Sequence, residues 1–135
     1  MDLDPRSVAN LIIDEAVRKN ARITNLALQK ILYFVHGRFL VEGRGALVAG
    51  SFEAWQYGPV SLPVYEAFKE FGASPITAKA KRRHLITREE EVVPTPKDPE
   101  ICERILEYAA PFFKMAPGRL VELSHADNGP WDRIT

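Results

Sequence analysis

The sequence predicts an α+β fold, mostly helical, with about five helices around one central helix and a small antiparallel sheet. Three observations carry this. Apolar residues recur at helical spacing behind cap-like openings at Asp4-Pro5, Thr24 and Asp98-Pro99. Phe52, Ala54, Trp55 and Tyr57 form an extended run with two-residue alternation, broken by Gly58-Pro59. Two shorter β-compatible pieces lie between Pro75 and Pro96.

The first helix opens at Asp4-Pro5, because aspartate caps free amides and proline suits the first helical position. Its stripe is Val8, Leu11, Ile12 and Ala16; it runs to about Lys19, and Asn20 ends it. Thr24 caps a longer helix, to Val41, with Leu28, Ile31, Leu32, Val35 and Phe39 on one face. Leu26, Tyr33 and Leu40 widen that face, which marks this helix as central and buried on more than one side. Gly43-Arg44-Gly45 stops it.

After the Phe52 strand, Ser61 opens a third helix with Val64, Ala67, Phe68 and Phe71 on its apolar side, ended by Gly72. His84 to Thr87 and Glu91 to Val93 read as short strands joined by a charged turn, pairing with each other or with the Phe52 segment. Asp98-Pro99 starts a fourth helix carrying Ile101, Ile105, Tyr108, Ala109 and Phe112. Pro111 kinks or ends it by removing a backbone donor and clashing with the preceding turn. Pro117-Gly118 opens a short helix with Leu120, Val121 and Leu123, and Asp127-Asn128-Gly129-Pro130 is a turn before Trp131.

A chain of 135 residues sets a prior of one domain, residues 1–135. At that size it buries roughly two-thirds of the surface its unfolded form exposes, so neither a disulfide nor a metal is needed for folding. Eighteen basic residues balance eighteen acidic ones, which argues against tight nonspecific nucleic-acid binding. Cys102 is the single cysteine, so no intrachain disulfide forms and a reducing, cytoplasmic setting is expected. The opening MDLDPRSV lacks the features of a secretion signal, and no apolar run approaches the roughly twenty residues of a membrane span.

Catalytic and metal chemistry find little support. Ser124, His125 and Asp127 are too close along one chain to converge as a triad; helix-end capping is the plainer reading. His36, His84 and His125 are scattered without metal-ligand spacing, and Cys102 reads as a small core residue. Gly43-Arg44-Gly45 lacks the strand–helix context of a phosphate loop. No cofactor is expected, and the chain is expected not to be an enzyme. Lys79, Lys81, Arg82, Arg83 and His84, with Arg88 just beyond, form a basic cluster that Glu89, Glu90 and Glu91 largely cancel. Such a run is most simply a solvated face; docking to an acidic partner and contact with nucleic acid are the alternatives.

Three segments resemble a known family. LQKILYFVHG (Leu28 to Gly37), FEAWQYGPVSLPVY (Phe52 to Tyr65) and LVELSHADNGPW (Leu120 to Trp131) look like the signature blocks of the Panacea domain, the SocA-like, phage-associated small proteins. The middle block, AW-x-YGPV followed by a helical VY, is the specific one. The resemblance implies an antitoxin that neutralises its cognate toxin by direct contact, and an adaptor that delivers the toxin to an ATP-dependent, ClpXP-type protease. It also implies residues beyond Thr135, since family members usually continue past the tryptophan matching Trp131.

Partner contact is expected at Lys30 and Tyr33 in the first block, Trp55 and Tyr57 in the second, Trp131 in the third, and Arg82 and Arg83 in the basic cluster. The plainer alternative for Lys30 is a snorkelling lysine, with its stem along the core and its ammonium in water, and a buried-pair role is the third reading. Alternating aromatics usually face a core, yet tryptophan and tyrosine are also enriched at binding hot spots. Gly58 and Pro59 are read as the turn itself. From another class, a DNA-binding regulator of its own operon would need a recognition helix with exposed Arg, Lys, Asn or Gln residues.

Overall fold

The computed structural model describes residues 2–56, 58–115 and 117–124. In chain order these hold α1 (Pro5–Arg18), α2 (Asn25–Val41), β1 (Phe52–Trp55), β2 (Gly58–Ser61), α3 (Leu62–Phe68), β3 (Lys81–Arg83), β4 (Glu90–Val92), α4 (Pro99–Ala109) and α5 (Pro117–Ser124). The architecture is α+β and mostly helical. Its strands form two separate antiparallel hairpins, β1–β2 and β3–β4, so the β-compatible pieces after Pro75 pair with each other and not with the Phe52 segment.

Cap chemistry sets the helix starts. The Asp4 carboxylate accepts the Arg6 amide at 2.9 Å, Thr24 Oγ1 accepts the Ala27 amide at 3.2 Å, and Asp98 accepts the Glu100 amide at 2.9 Å. Each supplies a partner to an amide with no intrahelical acceptor. Asn20, at φ +56°, and Gly43, at φ +73°, take the left-handed conformation just beyond α1 and α2. Pro111 ends α4 as expected, with a 3₁₀ turn over Ala110–Phe112.

α2 is the hub. It packs against α1, α3, α4, α5 and β2, and its residues from Ala27 to Gly37 are buried without interruption. An apolar stripe alone would bury one face; here Leu28, Ile31, Leu32, Val35 and Phe39 face one set of neighbours while Gln29, Lys30, Tyr33 and His36 fill the others. Around it lie Val8 and Ile12 of α1, Val64 and Phe68 of α3, Ile105 and Ala109 of α4, and Leu120 of α5. Each large aliphatic side chain withdrawn from water contributes about 1.5–3 kcal/mol, so this contact set dominates the stability.

Two features depart from the sequence reading. Gly58-Pro59 is not the turn that ends the strand: with Val60 and Ser61 it forms β2, wholly buried, Trp55 pairing with Gly58 and Phe52 with Ser61. Proline is tolerated there because Pro59 has no amide to donate and sits at a position of β2 whose polar groups face away from β1. The second hairpin is also displaced. Its strands are Lys81–Arg83 and Glu90–Val92, and His84 to Thr87, read as a strand for its Leu-Ile-Thr content, lies in the connecting turn. Local β propensity lost there to the cross-strand pairing of Arg82 with Glu91 and Arg83 with Glu90.

His36 links α2 to the N-terminal segment. Its Nδ1 accepts the Val48 amide at 3.5 Å, its ring lies 5.1 Å from that of Phe52, and the chain at Leu47–Ala49 bonds Leu3. Burial lowers the His36 pKa below its ordinary 6.5. The unfolded chain therefore takes up the proton first as pH falls, and stability present above pH 6.5 is lost as pH drops through the folded-state value. Thermal unfolding should show a midpoint that declines from pH 7 towards pH 5. In His36→Asn, which keeps an acceptor near Nδ1 without a titrating ring, that decline should be shallower. Parallel wild-type and variant curves would refute the assignment.

Candidate functional site

The β1–β2 hairpin is fastened to α2 by buried polar side chains. Pairing with β1 leaves the Pro59 carbonyl and the Ser61 amide pointing towards α2, and each meets a helix side chain. Lys30 Nζ donates to Pro59 O at 2.7 Å, and Gln29 Oε1 accepts the Ser61 amide at 2.8 Å. Gln29 Nε2 in turn donates to Asn25 Oδ1 at 3.1 Å, and Asn25 Nδ2 to the Tyr65 carbonyl at 3.3 Å. Two side chains of α2 thus supply the partners that a third strand would otherwise provide, and the chain of amides continues to α3.

The snorkelling reading of Lys30 is corrected by this arrangement. Lys30 is 0% exposed, its ammonium lies inside, and desolvation lowers its pKa from 10.5 to about 8. The head is held by the Pro59 carbonyl of the hairpin. Tyr33 is equally enclosed, in edge contact with Phe52 at 5.3 Å between ring centroids. Neither side chain reaches the surface; both hold the hairpin from below.

The outer side of the same hairpin is open. Trp55 is 38% exposed, its Nε1 donates to Glu53 at 3.0 Å, and its ring meets Tyr65 of α3 edge-on at 4.8 Å. Beside it runs a mainly apolar groove of about 390 Å³ lined by Leu26, Trp55, Val60, Tyr65, Lys69 and Ala73. Tyr57 and Trp131 lie outside the described residues, so of the expected aromatic contacts Tyr33 is placed inside and Trp55 at the surface.

Arg82 and Arg83 stand about the second hairpin, apart from Trp55. Both are exposed, and each meets the acid opposite on β4: Arg82 Nε to Glu91 at 2.8 Å, Arg83 to Glu90 at 3.9 Å. Lys79 reaches Asp14 of α1 at 3.2 Å. The basic cluster is thus mostly neutralised within the fold, consistent with a solvated face. At the base of the hairpin, buried Asn10 of α1 donates to Ala80 O at 3.1 Å and to Val93 O at 2.9 Å, and accepts the Ala80 amide at 2.7 Å. Ser7, one turn earlier, donates to Pro94 O at 2.6 Å. Sequence reasoning passed over Asn10 and Gln29. Ser7 and Asn10 share one side of α1 at a spacing of three, a polar row beside the apolar stripe, and that spacing was the available signal.

The described surface offers little to other chemistries. Among the described residues no group of His, Cys, Asp or Glu could hold a metal ion, and no helix is long and apolar enough to cross a membrane. Cys102 is half-buried, not fully interior as expected, and its Sγ meets Pro96 O at 3.1 Å; burial raises its pKa. Each arginine on the described helices is paired close by in sequence: Arg6 with Asp4, Arg18 with Glu15, Arg38 with Glu42, Arg104 with Glu107 and Arg119 with Glu122. No described helix therefore presents the free basic face that a DNA-recognition helix needs.

Known proteins bear on the same segments. A family model described as "Antitoxin SocA-like, Panacea domain" matches residues 28–132, which include α2 from Leu28 onward and both hairpins. The chain is 43% identical over 132 residues to Antitoxin SocA of Caulobacter vibrioides (strain NA1000 / CB15N), covering 98% of this chain and 70% of that protein. No solved structure matches it. With a family model spanning most of its length and a relative at this identity, the chain belongs to the SocA-like, Panacea-domain antitoxin family.

Proposed function

We propose that this protein is a non-enzymatic antitoxin that binds its cognate toxin directly and presents it to an ATP-dependent protease, acting in the cytoplasm. The observation that carries the reading is a pair of hairpins, both anchored by buried polar side chains and both open on their outer sides, in a chain 43% identical to Antitoxin SocA. An adaptor needs one surface for its cargo and another for the protease. The Trp55 groove and the β3–β4 hairpin bearing Arg82 and Arg83 supply two such surfaces on different elements. Lys30 and Tyr33 serve the first indirectly, by fixing the hairpin that carries Trp55.

The test uses the product of the neighbouring gene as the toxin, purified with and without this protein and followed in cells. Binding with a shortened toxin half-life supports delivery to a protease. Binding with an unchanged half-life reduces the mechanism to occlusion, and absence of binding removes the antitoxin reading. Trp55→Ala should weaken toxin binding about tenfold or more, as truncation of a central aromatic anchor does. Because Trp55 is partly exposed already, its unfolding midpoint should move little. Retained affinity in a folded Trp55→Ala protein would take the groove out of the interface.

A further inference from the structure

The β3–β4 hairpin ends in the two most exposed large apolar side chains among the described residues, Leu85 at 94% and Ile86 at 86%. Single exposed aliphatics are ordinary on protein surfaces; two in sequence at a projecting tip are not. Nor is the tip left to local propensity. His84 Nδ1 accepts the amides of Ile86 and Thr87 at 3.2 and 3.3 Å, and Thr87 Oγ1 accepts the Glu89 amide at 3.3 Å. The backbones of His84 and Glu89, and of Arg88 and His84, are bonded at 2.9 Å, with Arg88 at φ +62° closing the turn. Below the turn stand the Arg82–Glu91 and Arg83–Glu90 pairs, and below those the three bonds of Asn10. From base to tip, the hairpin is held in shape while Leu85 and Ile86 remain in water.

We propose that this tip is an apolar plug, Leu85 and Ile86 seating together in an apolar cleft of the toxin; the inference rests on the antitoxin reading and adds its contact residues. A convex aliphatic pair gains from burial only in a concave apolar receptor, and a turn already fixed loses little freedom on docking. The flanking charge points to a protein and not a lipid surface. Glu89, Glu90 and Glu91 nearly cancel Lys81, Arg82, Arg83 and Arg88 on the same hairpin, so it lacks the polybasic excess that draws a segment to an anionic membrane. Glu90 and Glu91 are occupied by Arg83 and Arg82, whereas Lys81, Arg88 and Glu89 have no ion pair among the described residues, which leaves a small positive excess beside the tip. The rim of the receiving cleft is therefore mildly acidic. The tip joins the Trp55 groove on the cargo side, because a toxin must stay bound until a protease arrives and a preformed apolar anchor slows dissociation; the protease surface is then the flank of the hairpin bearing Arg82 and Arg83.

The experiment compares the full chain with L85S/I86S. Both side chains already face water, so the unfolding midpoint should not move. The Kd for the purified product of the neighbouring gene should rise about 30-fold or more. Unchanged affinity overturns the plug while leaving the antitoxin reading intact. Failure of the unsubstituted chain to bind overturns both, and that arm separates the two failures. Unchanged toxin affinity with a lengthened toxin half-life in cells would assign the tip to the protease and overturn the proposal. So would L85S/I86S-sensitive sedimentation with vesicles of phosphatidylglycerol and phosphatidylcholine, which points to a membrane. Self-association of the unsubstituted chain that the variant abolishes, read by sedimentation velocity, would make a second copy the occupant and equally overturn it.

Discussion

Asn10→Ala is expected to destabilise the fold by about 3 kcal/mol, far more than the deletion of a surface amide would. The side chain is 0% exposed and makes three hydrogen bonds to backbone at Ala80 and Val93. Truncation leaves the Ala80 amide buried without its acceptor and the Val93 carbonyl without its donor. Water cannot replace them without opening the seam between α1 and the hairpin base. Asn10→Asp, although isosteric, should be no milder at neutral pH. Its carboxylate keeps an acceptor for the Ala80 amide but turns its other oxygen towards the carbonyls of Ala80 and Val93, where a donor is required. Protonating that aspartate restores one donor, so the Asp variant alone should regain stability on acidification. Urea unfolding at pH 7 and pH 5 would read both effects. A loss below about 1 kcal/mol for Asn10→Ala would mean the three bonds are easily replaced by solvent. In a variant that stays folded, toxin binding should fall as the hairpin loses its fixed base, tying this anchor to the surface it presents.

Local backbone chemistry was readable in the sequence, and long-range polar pairing was not. Asp4, Thr24 and Asp98 identify helix starts because a cap acts within three residues of itself. The central place of α2 follows from apolar residues that overflow one helical face. β1 was legible from alternation, but β2 was not: Gly58-Pro59 is turn chemistry in isolation. Only Gln29 and Lys30, some thirty residues earlier in the chain, complete the hydrogen bonding that makes it a buried strand. The same limit applies at the second hairpin. Leu85-Ile86-Thr87 has strand composition, yet the turn falls on it because the Arg82–Glu91 and Arg83–Glu90 pairs set the register. The partner-site expectation divides along this line. Trp55, Arg82 and Arg83 are at the surface, while Lys30 and Tyr33, chosen from the same kind of motif, are interior. A motif states that a residue type is needed; it does not say on which side of the chain.

Lys30→Met should have an effect on stability that depends on pH, small at pH 7 and reaching about 3 kcal/mol near pH 10.5. In the unfolded chain Lys30 titrates at the ordinary 10.5 and in the fold at about 8, because burial disfavours the ammonium. Between those values the unfolded chain holds the additional proton. Stability of the unsubstituted protein therefore rises with pH through this window, and the gain is lost again as pH falls through about 8. Methionine matches the length of the stem and carries no charge. At pH 7 it removes the cost of a buried ammonium but leaves the Pro59 carbonyl without its donor, and these roughly cancel. At pH 10.5 the neutral amine still donates to Pro59 with no charge to desolvate, so the lysine protein should be the more stable one. Tyr108 and Cys102 also have pKa values raised by the fold, so the difference between the two proteins is the quantity that isolates Lys30. Lys30→Ala should instead lose stability at every pH, since it adds a cavity to the lost bond. Denaturant unfolding of the three proteins from pH 7 to 10.5 would decide. If the Lys30→Met and unsubstituted curves run parallel, the ammonium is not held dry against Pro59, and the hairpin bearing Trp55 must be fixed to α2 by Gln29 alone.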